Sequence, residues 1–118
     1  MRRRVVIDTN VLVSALLSPN GTSAVILGMI AEGSIDSIYC NAIMNEYSKV
    51  LSRPIFGFTR ETIDEALDIF ILRGIIVIPE KSLIRFRDEN DRVFYDSAIT
   101  GDAELITFNT KHFPKNNL

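Results

Sequence analysis

Short runs of β-branched residues alternate along this chain with longer stretches in which apolar residues recur every three or four positions. The short runs are typical of buried strands, and the longer stretches of helices with one apolar face. The predicted strands are Arg4–Asp8, Asp36–Cys40, Ile75–Ile78 and Glu104–Thr107. The predicted helices are Val11–Leu17 capped by Thr9 and Asn10, Thr22 or Ser23 to Glu32, Ala42–Leu51 capped by Asn41, Thr59 or Thr62 to Leu72, and Asp91–Thr100.

The order of these elements indicates the fold class. Strands that alternate with helices favour an α/β fold, with a parallel sheet covered by helices on both faces and joined by right-handed crossovers. The polar stretch Glu80–Asn90 is predicted to be a loop. A length of 118 residues with 47% hydrophobic residues suits one compact domain, which we place at residues 1–118. Functional groups of such folds collect beyond the carboxyl ends of the strands.

Cysteine content and charge exclude several classes of protein. Cys40 is the only cysteine, which excludes a disulfide scaffold and a thiolate zinc site and indicates a reducing compartment, so a cytoplasmic location is expected. No apolar run approaches the roughly 18 to 20 residues of a membrane span, so no membrane association is expected. The 13 Lys+Arg against 15 Asp+Glu exclude nucleic-acid binding by bulk positive charge alone, but allow basic patches and metal-mediated contacts.

Four acidic residues fall at the junctions that follow the predicted strands. Asp8 ends the first strand, Glu46 lies early in the helix after the second, and Asp88 and Asp91 precede the helix after the third. Carboxylates that share one edge repel one another, and a hard divalent cation such as Mg²⁺ neutralises them. The waters of such an ion can be activated to attack a phosphodiester. A divalent-metal site for phosphodiester chemistry is therefore predicted.

The ordinary alternative for any acidic residue is a solvated surface position or a helix cap. A charge directly after Val-Val-Ile is costly to bury without a function, so Asp8 is assigned to chemistry. Periodicity alone does not decide whether Glu46 belongs to the metal site or to the solvated surface. A surface or capping role is expected mainly for the acids Glu61, Asp64, Asp68, Asp88, Glu89 and Asp96.

Four ordered segments resemble one protein family. Val5-Val-Ile-Asp-Thr-Asn-Val-Leu-Val-Ser-Ala15 resembles the opening signature of PIN domains, the small metal-dependent ribonucleases that include the VapC toxins of toxin–antitoxin pairs. The other three segments are Asn45–Pro54, Asp88–Ala98 and Leu105–Phe113. Together they cover nearly the whole chain. The resemblance implies a three-layer α/β/α domain with a central parallel sheet of about four to five strands.

The resemblance also implies a set of metal ligands and catalytic residues. By position these are Asp8, Glu46 and Asp91. Asp91 is preferred to Asp96 because Phe94 and Ala98, three and seven residues after Asp91, match the family's buried positions on that helix. The ligands would hold one or two ions of Mg²⁺ or Mn²⁺.

Further residues are implied in auxiliary roles. Asp88 is either an additional acid of the site or a helix cap, and the hydroxyls of Thr9 and Thr107 are expected to orient Asp8. Asn109 and His112 stand where the family often has a further acid, which puts a second metal ion in doubt. Asn109 is a candidate to hold a metal-bound water or a phosphate, whereas a structural or solvated role is favoured for His112.

The sequence gives less indication of which residues contact the substrate. Arg87 and Arg92 are candidates to bind the RNA backbone, although a solvated surface role is equally compatible with each. Further basic candidates are Arg2, Arg3, Arg4, Lys81 and Arg85. Core or interface packing is expected, in preference to base stacking, for the aromatic residues Tyr47, Phe56, Phe58 and Tyr95.

The predicted function is divalent-metal-dependent cleavage of RNA by the toxin of a toxin–antitoxin pair, with the homodimer and the cognate antitoxin partner that the resemblance implies. Ile55–Phe58 and the helix Thr59–Leu72 are candidate interfaces. One alternative is a non-catalytic PIN-like module that keeps a metal or RNA site. Another is a phosphatase with Asp8 as nucleophile, which is weakened because Asn10 stands where the usual second acid would be.

Overall fold

The computed structural model describes residues 2–113, and these residues form a four-stranded parallel sheet with helices on both faces. The strands are β1 (Arg4–Ile7), β2 (Asp36–Tyr39), β3 (Gly74–Ile76) and β4 (Glu104–Ile106), in the order β3-β2-β1-β4. The helices are α1 (Thr9–Leu17), α2 (Thr22–Ala31), α3 (Asn41–Leu51), α4 (Arg60–Arg73) and α5 (Arg92–Thr100). The predicted three-layer α/β/α architecture is confirmed.

The position of β1 explains its sequence. It pairs with β2 on one side and with β4 on the other, so both of its edges carry main-chain hydrogen bonds. Val5, Val6 and Ile7 are all buried, because helices cover both faces of the sheet. A strand in this position needs a continuous apolar run, and its carboxyl end delivers the next residue, Asp8, to the middle of the sheet edge.

Two of the predicted helix caps are wrong. Asp8, and not Thr9 or Asn10, caps α1, because its Oδ1 accepts the Thr9 N–H at 2.8 Å. The residue at the N-terminal cap of α3 is Cys40, and Asn41 is already helical. The Thr59 cap is confirmed, since its hydroxyl oxygen accepts the Thr62 N–H at 3.1 Å.

The edge strand β3 is displaced from the predicted Ile75–Ile78. It begins at Gly74, directly after α4, and ends at Ile76. A Cβ at Gly74 would lie 2.3 Å from the Phe70 carbonyl oxygen, so only glycine allows the chain to pass from helix to strand without a connecting loop. The Val77 N–H still donates to the Tyr39 carbonyl, whereas Ile78 is 90% exposed.

Aromatic side chains fill the core between the sheet and its helices. Tyr47 is fully buried and its ring lies 5.0 Å from that of Phe70, which confirms the expected packing role. Phe56 and Phe58 stack on each other, half-buried against the core.

No single helix within residues 2–113 is long and apolar enough to cross a membrane, and the apolar pair α1 and α2, which reaches that length together, bends by 102° between its two helices.

Candidate metal centre

Asp8 lies at the carboxyl end of the central strand and is 7% exposed. Its backbone N–H donates to the Ile106 carbonyl at 2.9 Å, which continues the pairing of β1 with β4. Its Oδ1 accepts the Thr9 N–H, and its Oδ2 accepts the Thr107 hydroxyl at 2.6 Å. Both carboxylate oxygens therefore have fixed partners, and the orientation of the side chain is set by α1 on one side and by the end of β4 on the other.

The two threonines near Asp8 differ in how they contact it. The Thr107 hydroxyl donates to Asp8 and in turn accepts the Asn109 N–H at 3.0 Å, so these three residues form one hydrogen-bonded chain. Thr9 uses only its backbone N–H, and its buried hydroxyl has no hydrogen-bond partner among the described residues. The geometry places Thr107, and not the Thr9 hydroxyl, in the orienting position.

Asp91 lies at the start of α5, close enough to Asp8 and Asp88 for their charges to act on it. Burial raises the pKa of the Asp91 carboxyl above its ordinary value, and the negative charges of Asp88 and Asp8 raise it further. His112 opposes these effects, with its Nδ1 3.5 Å from the Asp91 Oδ2. Because like charges share this edge of the sheet, a cation placed among them would relieve their repulsion.

Asp88 has a structural task as well. Its Oδ1 accepts the Asn90 N–H at 2.9 Å, and so caps the short helical turn that leads into α5. The sequence left a cap and an auxiliary acid as alternatives, and the geometry is compatible with both, since the Asp88 charge also reaches Asp91.

Glu46 is half-buried on α3, and the structure describes no contact between it and the aspartates. Within residues 2–113, no three His, Cys, Asp or Glu side chains stand in an arrangement that could hold one metal ion. The structure thus places Asp8 and Asp88 close enough to Asp91 for their charges to act on it, and these three residues are called the acidic edge. The convergence of Glu46 with them stays a prediction.

Tyr47 supports the site in a way that the sequence did not indicate. Its hydroxyl donates to the Ile7 carbonyl, the backbone group directly before Asp8. Burial raises the pKa of Tyr47 well above its ordinary value, and the nearby Asp8 and Cys40 add to this effect, so the phenol stays a proton donor at neutral pH. Its spacing on α3 predicted only core packing, because a contact across 40 residues of sequence leaves no local signal.

Arg92 is bound by the loop that precedes α5. Its guanidinium donates to the Ser82 carbonyl, to the Ser82 hydroxyl, to the Ile84 carbonyl and to Glu89. It also lies 5.0 Å from the centre of the Phe86 ring. These contacts support a structural role for Arg92. Arg87 is exposed, and among the described residues it makes no comparable set of hydrogen bonds. RNA binding by Arg87 or Arg92 stays a prediction.

The arginines of the amino terminus lie at the other end of β1 from Asp8. Arg2 pairs with Asp36 at 3.2 Å, and Arg3 with Glu104. The Arg4 guanidinium donates to the Gly101 carbonyl at 3.1 Å. This placement separates them from the acidic edge.

Asp96 contradicts the expected surface or capping role. It is 4% exposed, because the loop after β3 covers its side of α5, and its Oδ2 accepts the Ser82 N–H at 3.2 Å. The prediction was wrong because helix periodicity does not report a loop that folds back over the polar face.

The fold and the site thus define a class of protein: a parallel α/β/α domain with acidic residues at the carboxyl edge of its sheet. Residues 4–111 match the family model described as PIN domain, and the chain belongs to the PIN-domain family. The family predicted from the four sequence segments is confirmed.

Two individual proteins are similar over most of the chain. An uncharacterized protein of Methanocaldococcus jannaschii is 34% identical over 127 aligned positions, which cover 98% of this chain and 82% of that protein. A chain in the crystal structure of VapBC2 from Rickettsia felis, bound to a DNA fragment from their promoter, superposes with a TM-score of 0.60. That match is 21% identical and covers 92% of this chain and 89% of the other, and it shows the shared fold.

Proposed function

We propose that this protein is a divalent-metal-dependent endoribonuclease that hydrolyses RNA phosphodiester bonds. The observation that carries the proposal is the position of Asp8 at the carboxyl end of β1, where hydrogen bonds hold both of its carboxylate oxygens and its charge, with that of Asp88, acts on Asp91. Membership of the PIN-domain family, which consists largely of nucleases, supports the reaction class.

Asp8, Glu46 and Asp91 would hold the ion, since carboxylate oxygens are the ligands that Mg²⁺ and Mn²⁺ prefer. When bound, such an ion supplies an activated water and offsets the charge of the phosphodiester. The chain of Asn109, Thr107 and Asp8 fixes the first carboxylate, and Tyr47 fixes the strand end behind it. Because Asn109 stands where the family often has an acid, one ion is favoured over two.

Asp91 and Glu46 have to turn toward Asp8 for the three carboxylates to share an ion, because no such group is assembled among residues 2–113. Asp91 is held by one contact of 3.5 Å to His112, a weaker restraint than the two hydrogen bonds of Asp8. Asp8 is therefore the fixed ligand and Asp91 the movable one in this proposal.

The proposal extends to the biological role and to the partners. The resemblance of the four segments to VapC toxins, and the fold shared with a chain of the VapBC2 structure, support a cytoplasmic toxin that is silenced by an antitoxin. A homodimer is supported by exposed large apolar side chains at the end of α4, at the end of the edge strand β3 and directly after it, namely Ile71, Leu72, Ile76 and Ile78. In the other candidate interface, Ile55 is 86% exposed. Sedimentation of the protein alone, and with a co-expressed antitoxin, measures both associations.

Cleavage of a labelled mixed RNA tests the proposal. We expect cleavage with Mg²⁺ or Mn²⁺ and none with EDTA. In Asp8→Asn and Asp91→Asn the cleavage activity is expected to fall by more than about 100-fold, the largest loss typical of residues that only orient a metal ligand. Asp68→Asn, at an exposed position of α4, is the charge-matched control and retains activity. Thermal unfolding shows whether each variant is folded.

Two results would change the assignment. A folded wild-type protein that binds the metal but cuts no RNA is a non-catalytic module, an alternative left open by Asn109 at a position where the family often has an acid. Trapping of acid-stable phosphate on Asp8 would indicate the phosphatase, which the two hydrogen bonds on the Asp8 oxygens disfavour.

A further inference from the structure

A cavity of about 670 Å³ lies between the second half of α5 and the loop that follows β3. Its polar lining includes Glu80, Lys81, Ser82, Asp96, Thr100 and Asp102. No residue of the acidic edge lines it. Asp91 and Asp96 are five residues apart, which turns their side chains about 140° away from each other around a helix with 3.6 residues per turn. The cavity is therefore separate from the proposed metal centre.

Asp96 is the unusual residue of this cavity. It is 96% buried, and its Oδ2 accepts one hydrogen bond, from the Ser82 N–H. Its Oδ1 is buried with no hydrogen-bond partner among the described residues. An unpaired carboxylate oxygen at a buried position is costly, and because Oδ1 has almost no accessible surface, a ligand in the cavity would gain this hydrogen bond through a rotation of the Asp96 side chain.

The wall opposite α5 is held in place by specific contacts. Ser82 donates its N–H to Asp96 and accepts two hydrogen bonds from Arg92 through its carbonyl and hydroxyl oxygens. The Glu80 N–H donates to the Thr100 hydroxyl at 3.1 Å. The loop is thus fastened to both ends of the helix segment that lines the cavity, and the cavity is a built feature of the fold.

The lining defines the chemistry of an occupant. Its charged residues are the three acids Glu80, Asp96 and Asp102 and the base Lys81, and the Arg92 charge behind the wall also acts on Asp96, which leaves an excess of one acid that favours a cation. Ile84, Ile99 and Ala103 add apolar surface. The volume falls within the roughly 300–1,000 Å³ of small-molecule sites.

We propose that this cavity binds a guanidinium or ammonium group carried on an aliphatic stem. The cationic head supplies the donor for Asp96, and the stem packs on the apolar residues of the lining. Such a group belongs either to a free organic cation or to an arginine or lysine side chain of a partner protein. The proposal does not depend on ribonuclease activity, and its test contains no RNA.

Titration of the ¹⁵N-labelled protein with butylguanidinium, followed by NMR, tests this assignment. We expect saturable shifts of the amide signals of Ser82, Asp96 and Asp102, and weaker binding by about tenfold or more in Asp96→Asn, the factor for one hydrogen bond to a charged group. Butylurea has the same shape without the charge, and we expect it not to bind. Asp68→Asn, on α4, is expected to bind as the wild type does.

Asp102→Asn gives a second variant in case Asp96→Asn fails to fold. Asp102 has φ 51°, a left-handed conformation that asparagine adopts readily, so this change removes a charge at little cost to the backbone. It is expected to weaken binding as well. An acetyl-Gly-Arg-Gly-amide peptide that binds more tightly than butylguanidinium would identify a partner side chain as the source, and weaker binding would identify a free cation.

Three results would overturn the proposal. They are the absence of saturable shifts with both butylguanidinium and the peptide up to about 10 mM, binding of butylurea as tight as that of butylguanidinium, and unchanged binding in a folded Asp96→Asn or Asp102→Asn protein.

Discussion

Asp8 combines two structural tasks with its proposed chemistry. It caps α1 through one carboxylate oxygen and joins the end of β4 through the other. A side chain held by two elements has already lost its conformational entropy when the protein folds. It therefore loses little more when it binds an ion. This arrangement explains why a charged residue is tolerated directly after a buried strand.

Replacement of Thr107 by valine tests this arrangement. The change removes the donor to the Asp8 Oδ2 and the acceptor of the Asn109 N–H while it keeps the volume of the side chain. We expect metal affinity or RNA cleavage to fall by about 10- to 100-fold, the range for residues that orient a metal ligand. Calorimetric titration with Mn²⁺ and the RNA assay measure the two quantities.

Thr107→Ser is the matched control, because it restores the hydroxyl and removes only a methyl group. It is expected to retain most of the wild-type affinity and activity. A valine variant as active as the serine variant would mean that Asp8 is oriented by its own cap of α1 alone.

At the scale of elements, α5 shows where sequence patterns stop being informative. Five consecutive residues of this helix, positions 94 to 98, are buried, because the sheet covers one side and the loop after β3 covers another. The pattern of Val93, Phe94, Ser97 and Ala98 predicted the helix itself, which is confirmed. It gave no signal for the loop contact, since a loop has no periodicity and Asp96 looks like any polar residue of an exposed face.

Arg92 is the residue that fastens this loop to α5. Arg92→Lys keeps the positive charge but loses the planar set of donors that reaches Ser82, Ile84 and Glu89 together. We expect the Glu80 and Ser82 amides, which donate to Thr100 and Asp96, to exchange with solvent faster by about tenfold, the factor for one ordinary hydrogen bond. Hydrogen exchange followed by NMR measures this change.

Arg85→Lys is the control, because Arg85 is an exposed arginine of the same loop. Its exchange rates should match those of the wild type. Equal rates in Arg92→Lys and wild type would show that Asp96 and the Thr100 contact suffice to hold the loop.

At the scale of the whole molecule, the sequence predicted the sheet and the acidic edge but not the assembly of the site. The fold could be predicted from the apolar run of β1 and from the alternation of strands and helices, because a parallel sheet covered on both faces requires both patterns. The location of Asp8 at this edge was predicted from its position directly after β1. The contacts of Thr107 and Tyr47 join residues 99 and 40 positions apart, and such pairs are set only when the sheet forms. The resemblance to PIN domains predicted that Thr107 orients Asp8, whereas nothing in the sequence indicated the hydrogen bond from Tyr47 to the Ile7 carbonyl.

Burial of the Asp91 carboxylate, together with repulsion from Asp88 and Asp8, is expected to limit the stability of the metal-free protein. The folded state raises the pKa of Asp91, so at neutral pH the ionised carboxylate opposes folding. This cost is complete above the raised pKa, declines as the pH falls through it, and vanishes below the unfolded value of 3.8. Asp91→Asn in EDTA should therefore unfold at a higher temperature than the wild type at pH 7, with a difference that narrows toward pH 4.

Addition of Mg²⁺ is expected to reverse this order. An ion that binds only the folded wild type stabilises it by about 2.7 kcal/mol at a hundredfold excess over its Kd, whereas a variant without the Asp91 charge gains less. Circular dichroism melting curves with EDTA and with Mg²⁺ measure both effects, and Asp68→Asn should follow the wild type in each. A lower melting temperature of Asp91→Asn in EDTA at pH 7 would mean that the contact with His112 outweighs the burial of the Asp91 carboxylate and the repulsion from Asp88 and Asp8. The edge would then be stable without a cation, and the electrostatic argument for the metal site would fail.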